Sequence, residues 1–290
     1  MRLDKQSLKL AATFKGAILK RLLAGMTVLT AITMALIYIH NHNSEYQKLN
    51  MTVSGALPGY MGAALGLLLV FRNSTAYDKW WEARKEIGAL VNTARNFAIT
   101  LNGLLPFNTP ERKQLTKLLI AFVFNLKAHL RDTSDETSLE ALSAEDRELV
   151  LKSQHKPVVI SNIMINKIED VWKRNLITDI QQGLLIEKIH GLVDILGKCE
   201  RIKNTPIPMA YMFLLKFLIN IYVVILPFSL VDEIGWLCIP LVILLYYILM
   251  SIVITAEEIE EPFGYDLNDL KMDAIAMNIK NNIDEIVTHD

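Results

Sequence analysis

The residues equipped for chemistry in this chain are six histidines, two cysteines and the acidic run Glu257, Glu258, Glu260 and Glu261. A metalloenzyme needs histidines at ligand spacing, as in HExxH, where two rings one helical turn apart reach the same ion. His40 and His42 sit in a polar HNHN stretch, and His129, His155, His190 and His289 stand far apart, so spacing assembles no metal set. Cys199 and Cys238 lack a CxxC partner and read as buried thiols without a disulfide framework. No glycine-rich phosphate loop and no GxSxG elbow occurs. The acidic run continues into Pro262, Phe263, Gly264, Tyr265 and Asp266. Close carboxylates suit calcium, which takes about six to eight oxygens. Here Leu267 and Asn268 interrupt the acids, and the run reads as the solvated end of a helix. Lys216 is the one ionisable residue inside the apolar segments. Near a segment end it can snorkel to water, which leaves a coupled transporter as a second reading and a membrane scaffold as a third. These residues predict no enzyme, no metal and no cofactor. What remains is the handling of ions by elements that place charge and apolar surface.

Those elements are set out by the distribution of charge. The chain has 290 residues, 52% of them hydrophobic, and a positive mean hydropathy, but the charges crowd between long empty windows. Leu22–Ile39 is eighteen residues without a charge, and Ile234–Ala256 is twenty-three. Leu49–Phe71 is uncharged, with Pro58 and Gly59 near its helix start, and Phe217–Val231 is uncharged with Ile207–Leu215 ahead of it. Four such windows predict an all-α membrane protein with spans near residues 20–40, 57–72, 209–231 and 235–256. The net charge of −1 says nothing about nucleic acid, but no basic cluster interleaves with aromatics as a binding face would, so no nucleic-acid partner is expected.

Lysines and arginines orient the spans by the positive-inside tendency. Arg2, Lys5, Lys9, Lys15, Lys20 and Arg21 precede the first span; Arg72, Lys79, Arg84 and Lys85 follow the second; Lys198, Arg201 and Lys203 precede the third. Of lysines and arginines the intervening loops hold only Lys48, and the second loop carries Asp232 and Glu233. Both termini and the long middle are therefore expected on the cytosolic side. The first apolar run ends in Ile39, His40 and Asn41 without a small-x-small cleavage site, so the span is expected to be retained.

From Gly62 to Asn102 no proline occurs and glycine appears only at 66 and 88, so one helix is expected to run from the membrane into water. The middle, about 73–205, reads as helical and cytosolic, with a tail over 257–290. Leu115, Leu118, Leu119, Phe122, Val123 and Leu126 recur at helical spacing. The SAED at 143–146 offers a helix cap after the turn-like TSDETS. Ile163, Ile165, Ile168, Val171, Trp172, Leu176 and Ile180 predict further helix, and TPIP at 205–208 punctuates the entry to span three. The cytosolic helices look continuous with the spans, which predicts one unit over 1–290.

Three stretches carry a family resemblance: FRNSTAYDKWWEARK at 71–85, CERIKNTPIPMAY at 199–211 and EEIEEPFGYDLNDL at 257–270. In this order they resemble the bestrophin family, specifically its bacterial members, over essentially the whole chain. The resemblance implies a homopentamer in membrane lipid around one central pore that conducts monovalent ions passively. It implies sodium-type cations for bacterial members and chloride for animal ones, which are gated by calcium. The family's aspartate-rich stretch after PFG is missing here, so calcium gating is not expected. Relative to Lys79, Trp80 and Trp81, the resemblance places a hydrophobic neck at Ala63, Leu67 and Phe71. These positions share one helical stripe. The alternative is ordinary helix packing, helped by Gly62, Ala64 and Gly66. Ala63 is smaller than the family's bulky residue, which implies a wider or two-layered neck. Arg72 and Asn73, beside Phe71, are expected to meet ions or subunit-interface carbonyls. Glu257 and Glu258, with Asp232 and Glu233, are expected to draw cations to the mouths. A second constriction at the cytosolic exit is placed at Ile180, with Ile177 and Leu184 as rivals. Trp80 and Trp81 are expected to pack between helices, and Glu82 and Arg84 to form structural ion pairs.

Overall fold

The computed structural model describes residues 5–42, 56–106 and 109–288, with side chains from Ile18 onward. Arg2, Lys48 and His289, used in the sequence reading, lie outside them. The described residues form helices and turns and contain no strand. In chain order the α-helices are α1 (Lys5–His42), α2 (Ala56–Leu104), α3 (Pro110–Leu130), α4 (Ala144–Lys152), α5 (Lys156–Lys173), α6 (Asp179–Asn204), α7 (Met209–Ile234), α8 (Cys238–Glu260) and α9 (Met272–Thr288). They pack into two compact units. The first takes residues 1–78, 206–260 and 266–268; the second takes 79–205, 261–265 and 269–290. Their boundary falls at Asp78/Lys79, inside α2. At 49 residues α2 spans roughly 73 Å, as a sequence free of internal proline after Pro58 permits.

In the first unit α1, the start of α2, α7 and α8 bury one stripe each. Ile18, Leu22, Leu29 and Ile37 of α1 meet Leu65 and Leu69 of α2, Leu215, Ile219 and Val223 of α7, and Val242, Tyr246 and Val253 of α8. The three- and four-residue steps are those of helices packing along their length. Gly25 lets α1 approach α8 closely, because a Cβ there would lie 2.2 Å from the Tyr246 hydroxyl oxygen. Helix α7 ends where Gly235 takes φ +52 and donates its N–H to the Val231 carbonyl, a conformation that favours glycine. Ion pairs fix the polarity of the bundle. His40 meets Asp232 at 3.0 Å at one end, and Arg21–Glu258 and Lys216–Glu257 pair at the other. Helices α1 and α7 thus run together and antiparallel to α8.

Among the described residues two stretches are long and apolar enough to cross a bilayer, Ile18–His42 and Met209–Glu260. The second contains both α7 and α8. The apolar start of α2 is not among them: Arg72 ends it sixteen residues after Ala56, which rises only about 24 Å.

In the second unit the rest of α2 contributes Ile87, Leu90, Phe97 and Leu101 to a core shared with α3, α5, α6 and α9. All six apolar positions read at helical spacing between Leu115 and Leu126 are buried there. Ser143 caps α4 by accepting the Asp146 N–H, as the SAED pattern predicts. The expected continuation through Leu176 and Ile180 is corrected: α5 stops at Lys173, Asn175 turns left-handed at φ 55, and Thr178 opens α6 with a capping box to Gln181. Apolar periodicity survives such a break, because Leu176 and Ile180 face solvent in the single chain.

Candidate pore-lining helix and its anchors

The face that α2 presents is set by what it buries. In its first half Leu65, Leu69, Arg72 and Ala76 turn inward. Residues two positions along, roughly 200° round the helix from the buried leucines, then turn outward. Leu67 and Phe71 are each 58% exposed, and Ala63 is exposed with them, so the stripe named from the sequence is unpartnered apolar surface on the single chain. Packing within the subunit does not claim it. Gly62 does serve packing, with its Cβ position 3.1 Å from the Tyr222 hydroxyl, while Gly66 has nothing within 4 Å.

Arg72 differs from expectation. Its side chain is 1% exposed and pairs with the Glu260 carboxylate, with a second contact from Nη2 to Met212 Sδ at 3.4 Å. The other Glu260 oxygen accepts the Ile207 N–H at 2.8 Å. One buried pair therefore ties α2, the end of α8 and the segment leading into α7. Arg72 is an internal anchor and does not share the surface of Phe71. Asn73 is exposed next to it. Tyr211 adds a hydroxyl donated to the Leu68 carbonyl at 3.3 Å.

The acidic run is likewise partnered and not simply solvated. Glu257 meets Lys216 at 2.6 Å, and Glu258 meets Arg21 at 3.8 Å while accepting the Asn268 amide at 3.1 Å. Lys216 thereby sits beside the C-terminal end of α8. Within the second unit, Arg131 holds the turn after the run. Its Nε and Nη2 donate to the Phe263 and Gly264 carbonyls, each at 2.9 Å, and Nη1 donates to Asp273 at 2.5 Å. The same guanidinium lies 4.2 Å from the Tyr265 ring centroid. Hydrogen bonds from Lys127 and Arg131 hold the Asp273 carboxyl below the usual carboxylate range. That pairing is fully formed above about pH 4 and is lost as acid protonates the carboxylate. Carbonyls and a carboxylate that would suit a hard cation are occupied by a side-chain cation.

Ile180 stands in the first turn of α6 and is 78% exposed. Of its rivals, Ile177 is buried at 6% and turns into the core, while Leu184 is 44% exposed. Trp80 packs against the core and Trp81 is 45% exposed. Glu82 pairs with Arg201, and Glu86 with Lys198 at 3.3 Å. Arg84 is exposed. Both cysteines are buried. Sequence spacing missed one constellation: His129, His155 and Glu200 converge with their ligand atoms within 4.8 Å.

A membrane-length apolar bundle, continued by one long helix that carries an unclaimed apolar stripe, defines a class of all-helical proteins. Within that class, the chain belongs to the bacterial/fungal bestrophin family, whose model matches residues 1–285. It is 35% identical over 280 residues to a voltage-dependent anion channel-forming protein of Nostoc sp., covering 94% of this chain and 88% of that one. A protein of the same description from Escherichia coli K12 is 31% identical, covering 81% and 77%. A solved structure of a point variant of a bacterial bestrophin homologue from Klebsiella pneumoniae aligns with TM-score 0.86 at 27% identity, covering 93% of this chain and 100% of that one.

Proposed function

We propose that this chain is the subunit of a homopentameric ion channel of a bacterial inner membrane, passing monovalent ions passively through a central pore lined by α2. The observation that carries this reading is the exposed stripe Ala63, Leu67 and Phe71 on a helix whose opposite side is locked by Arg72. Five such stripes facing an axis make apolar rings that gate by dewetting. A heterologous interface that closes on itself generates such a ring. In this reading α1, the start of α2, α7 and α8 are the four spans, with both termini in the cytosol. The short apolar start of α2 fits because a pore-lining helix is shielded from lipid by its neighbours. Ile180 forms a second constriction at the cytosolic exit, and Asn73 meets ions or a neighbouring subunit below the neck. Calcium does not gate this channel, because Arg131 fills the cation position at the Phe263–Gly264 turn.

The sign of the ion is the finer part of the proposal. Pairing of Glu257, Glu258 and Asp232 weakens the electrostatic case for cations built on those acids. Cation conduction rests on the resemblance to bacterial members. The anion alternative draws on the description of the Nostoc and Escherichia relatives. Native mass spectrometry in detergent is expected to give five copies; a dimer or trimer would sink the ring. In a NaCl gradient, reversal potentials of bilayer currents are expected to move toward the sodium value. Reversal at the chloride value would replace the cation by the anion. Flux that needs a second ion would indicate a coupled transporter, and a silent bilayer a scaffold.

A further inference from the structure

His129 lies near the C-terminal end of α3, His155 at the N-cap of α5, and Glu200 on α6. Separated by 45 and 71 residues from Glu200, the two rings nonetheless meet one carboxylate oxygen. Glu200 Oε1 lies 2.6 Å from His129 Nε2 and 2.7 Å from His155 Nε2, and the ring centroids are 4.5 Å apart. We propose that His129, His155 and Glu200 form a binding site for a borderline divalent transition-metal ion of the zinc class. Two imidazole nitrogens and one carboxylate oxygen are the donor set that catalytic and regulatory zinc sites use, with a further position left for water. Oxygen-only donors would suit calcium or magnesium; two imidazoles select against those ions.

The spacing fits a closed, metal-free form. With bonds of about 2.0–2.1 Å and tetrahedral angles, ligand atoms around zinc stand roughly 3.3 Å apart, so each nitrogen must draw away from the Glu200 oxygen by roughly 0.6–0.7 Å. Partly exposed side chains at 31%, 39% and 26% make that shift and leave the ion a path from water. Binding exchanges two N–H hydrogen bonds to Glu200 for two metal bonds, with the ring protons moved to Nδ1. His155 Nδ1 is buried with no hydrogen-bond partner in the structure. The usual carboxylate or carbonyl behind a metal-bound ring is thus missing there, and the site is one of modest affinity. Cys199 adjoins Glu200 in sequence, but it is fully buried and its Sγ is not among the ligand atoms that converge. An ion held here ties α3, the start of α5 and α6 within one unit.

The test is independent of conduction. The full chain, tag-free, purified in detergent and stripped with chelator, is titrated with zinc by calorimetry and with cobalt by visible absorption. One ion per subunit is expected, with intense cobalt bands of a four-coordinate site and a zinc-dependent rise in melting temperature. His129→Gln, His155→Gln and Glu200→Gln are each expected to weaken zinc binding at least about tenfold and to remove the cobalt bands. Glutamine keeps a polar side chain at each position. A variant that melts as wild type without zinc but loses the zinc-dependent rise supports the site. His190→Gln is expected to bind as wild type. Wild-type affinity in all three variants, a loss produced by His190→Gln instead, or no binding to the unaltered chain would overturn the proposal.

Discussion

Leu67→Ala is expected to raise single-channel conductance or open probability at least about tenfold. Leu67 lies on the exposed side of α2, 58% accessible and one helical turn from both Ala63 and Phe71. In the proposed pentamer the change removes three carbons from each of five side chains in one ring. A single buried methylene is worth about 0.8 kcal/mol of apolar transfer, and a barrier lowered by about 1.4 kcal/mol admits ions about ten times faster. In that proposed ring Ala63 leaves the layer above already small, so the constriction is assigned to Leu67 and Phe71. Leu69→Ala is the control, because Leu69 is 5% exposed and packs in the core of the first unit. It is expected to cost about 2–5 kcal/mol of stability with no gain in conductance. Bilayer recordings and melting curves on the same preparations separate the two outcomes. If Leu67→Ala assembles and conducts as wild type while Leu69→Ala opens the pore, the stripe is assigned to the wrong face.

Spacing alone shows that Ala63, Leu67 and Phe71 share one helical face, and that face is exposed on the single chain; their register as a neck comes from the resemblance at Lys79, Trp80 and Trp81. Spacing alone also reads Leu115–Leu126, whose apolar steps need only α3 to be interpreted. What spacing does not carry is the partner. Arg72 follows an apolar run and reads as a charge released to water or ions, yet its carboxylate lies 188 residues away. Pairing across such distances turned the acids at the end of α8 from a solvated cluster into ion pairs. The histidines illustrate the converse. No interval between His129, His155 and Glu200 resembles a ligand motif, because three separate segments supply one ligand each. The end of α5 was hidden for a third reason: Leu176 and Ile180 keep the apolar period while Asn175 breaks the backbone, and periodicity does not register a positive φ.

The buried pair beneath the stripe should be the most stability-sensitive point of the first unit. Arg72→Met is expected to lower stability by about 3–5 kcal/mol, since it strands the Glu260 carboxylate in a site only 10% exposed. Against a total of about 5–15 kcal/mol that is a large fraction, visible as a marked fall in melting temperature in detergent. Glu260→Gln is expected to act in the same direction, because it leaves the guanidinium buried with Nε and Nη1 already lacking partners. Replacing both residues is different in kind: Arg72→Met with Glu260→Met removes both charges together, and an apolar pair of similar volume is expected to recover much of the loss. The Ile207 N–H loses its acceptor in that variant, so recovery stays partial. A melting-temperature cycle over the two single variants and the double variant measures this coupling. The channel consequence follows from geometry. Arg72 fixes the rotation of α2, so the single variants are expected to disturb gating through Phe71 and Leu67 while leaving ion selectivity alone. A folded Arg72→Met protein with wild-type melting but altered selectivity would instead place Arg72 in the ion path, and the anchor would have to be abandoned.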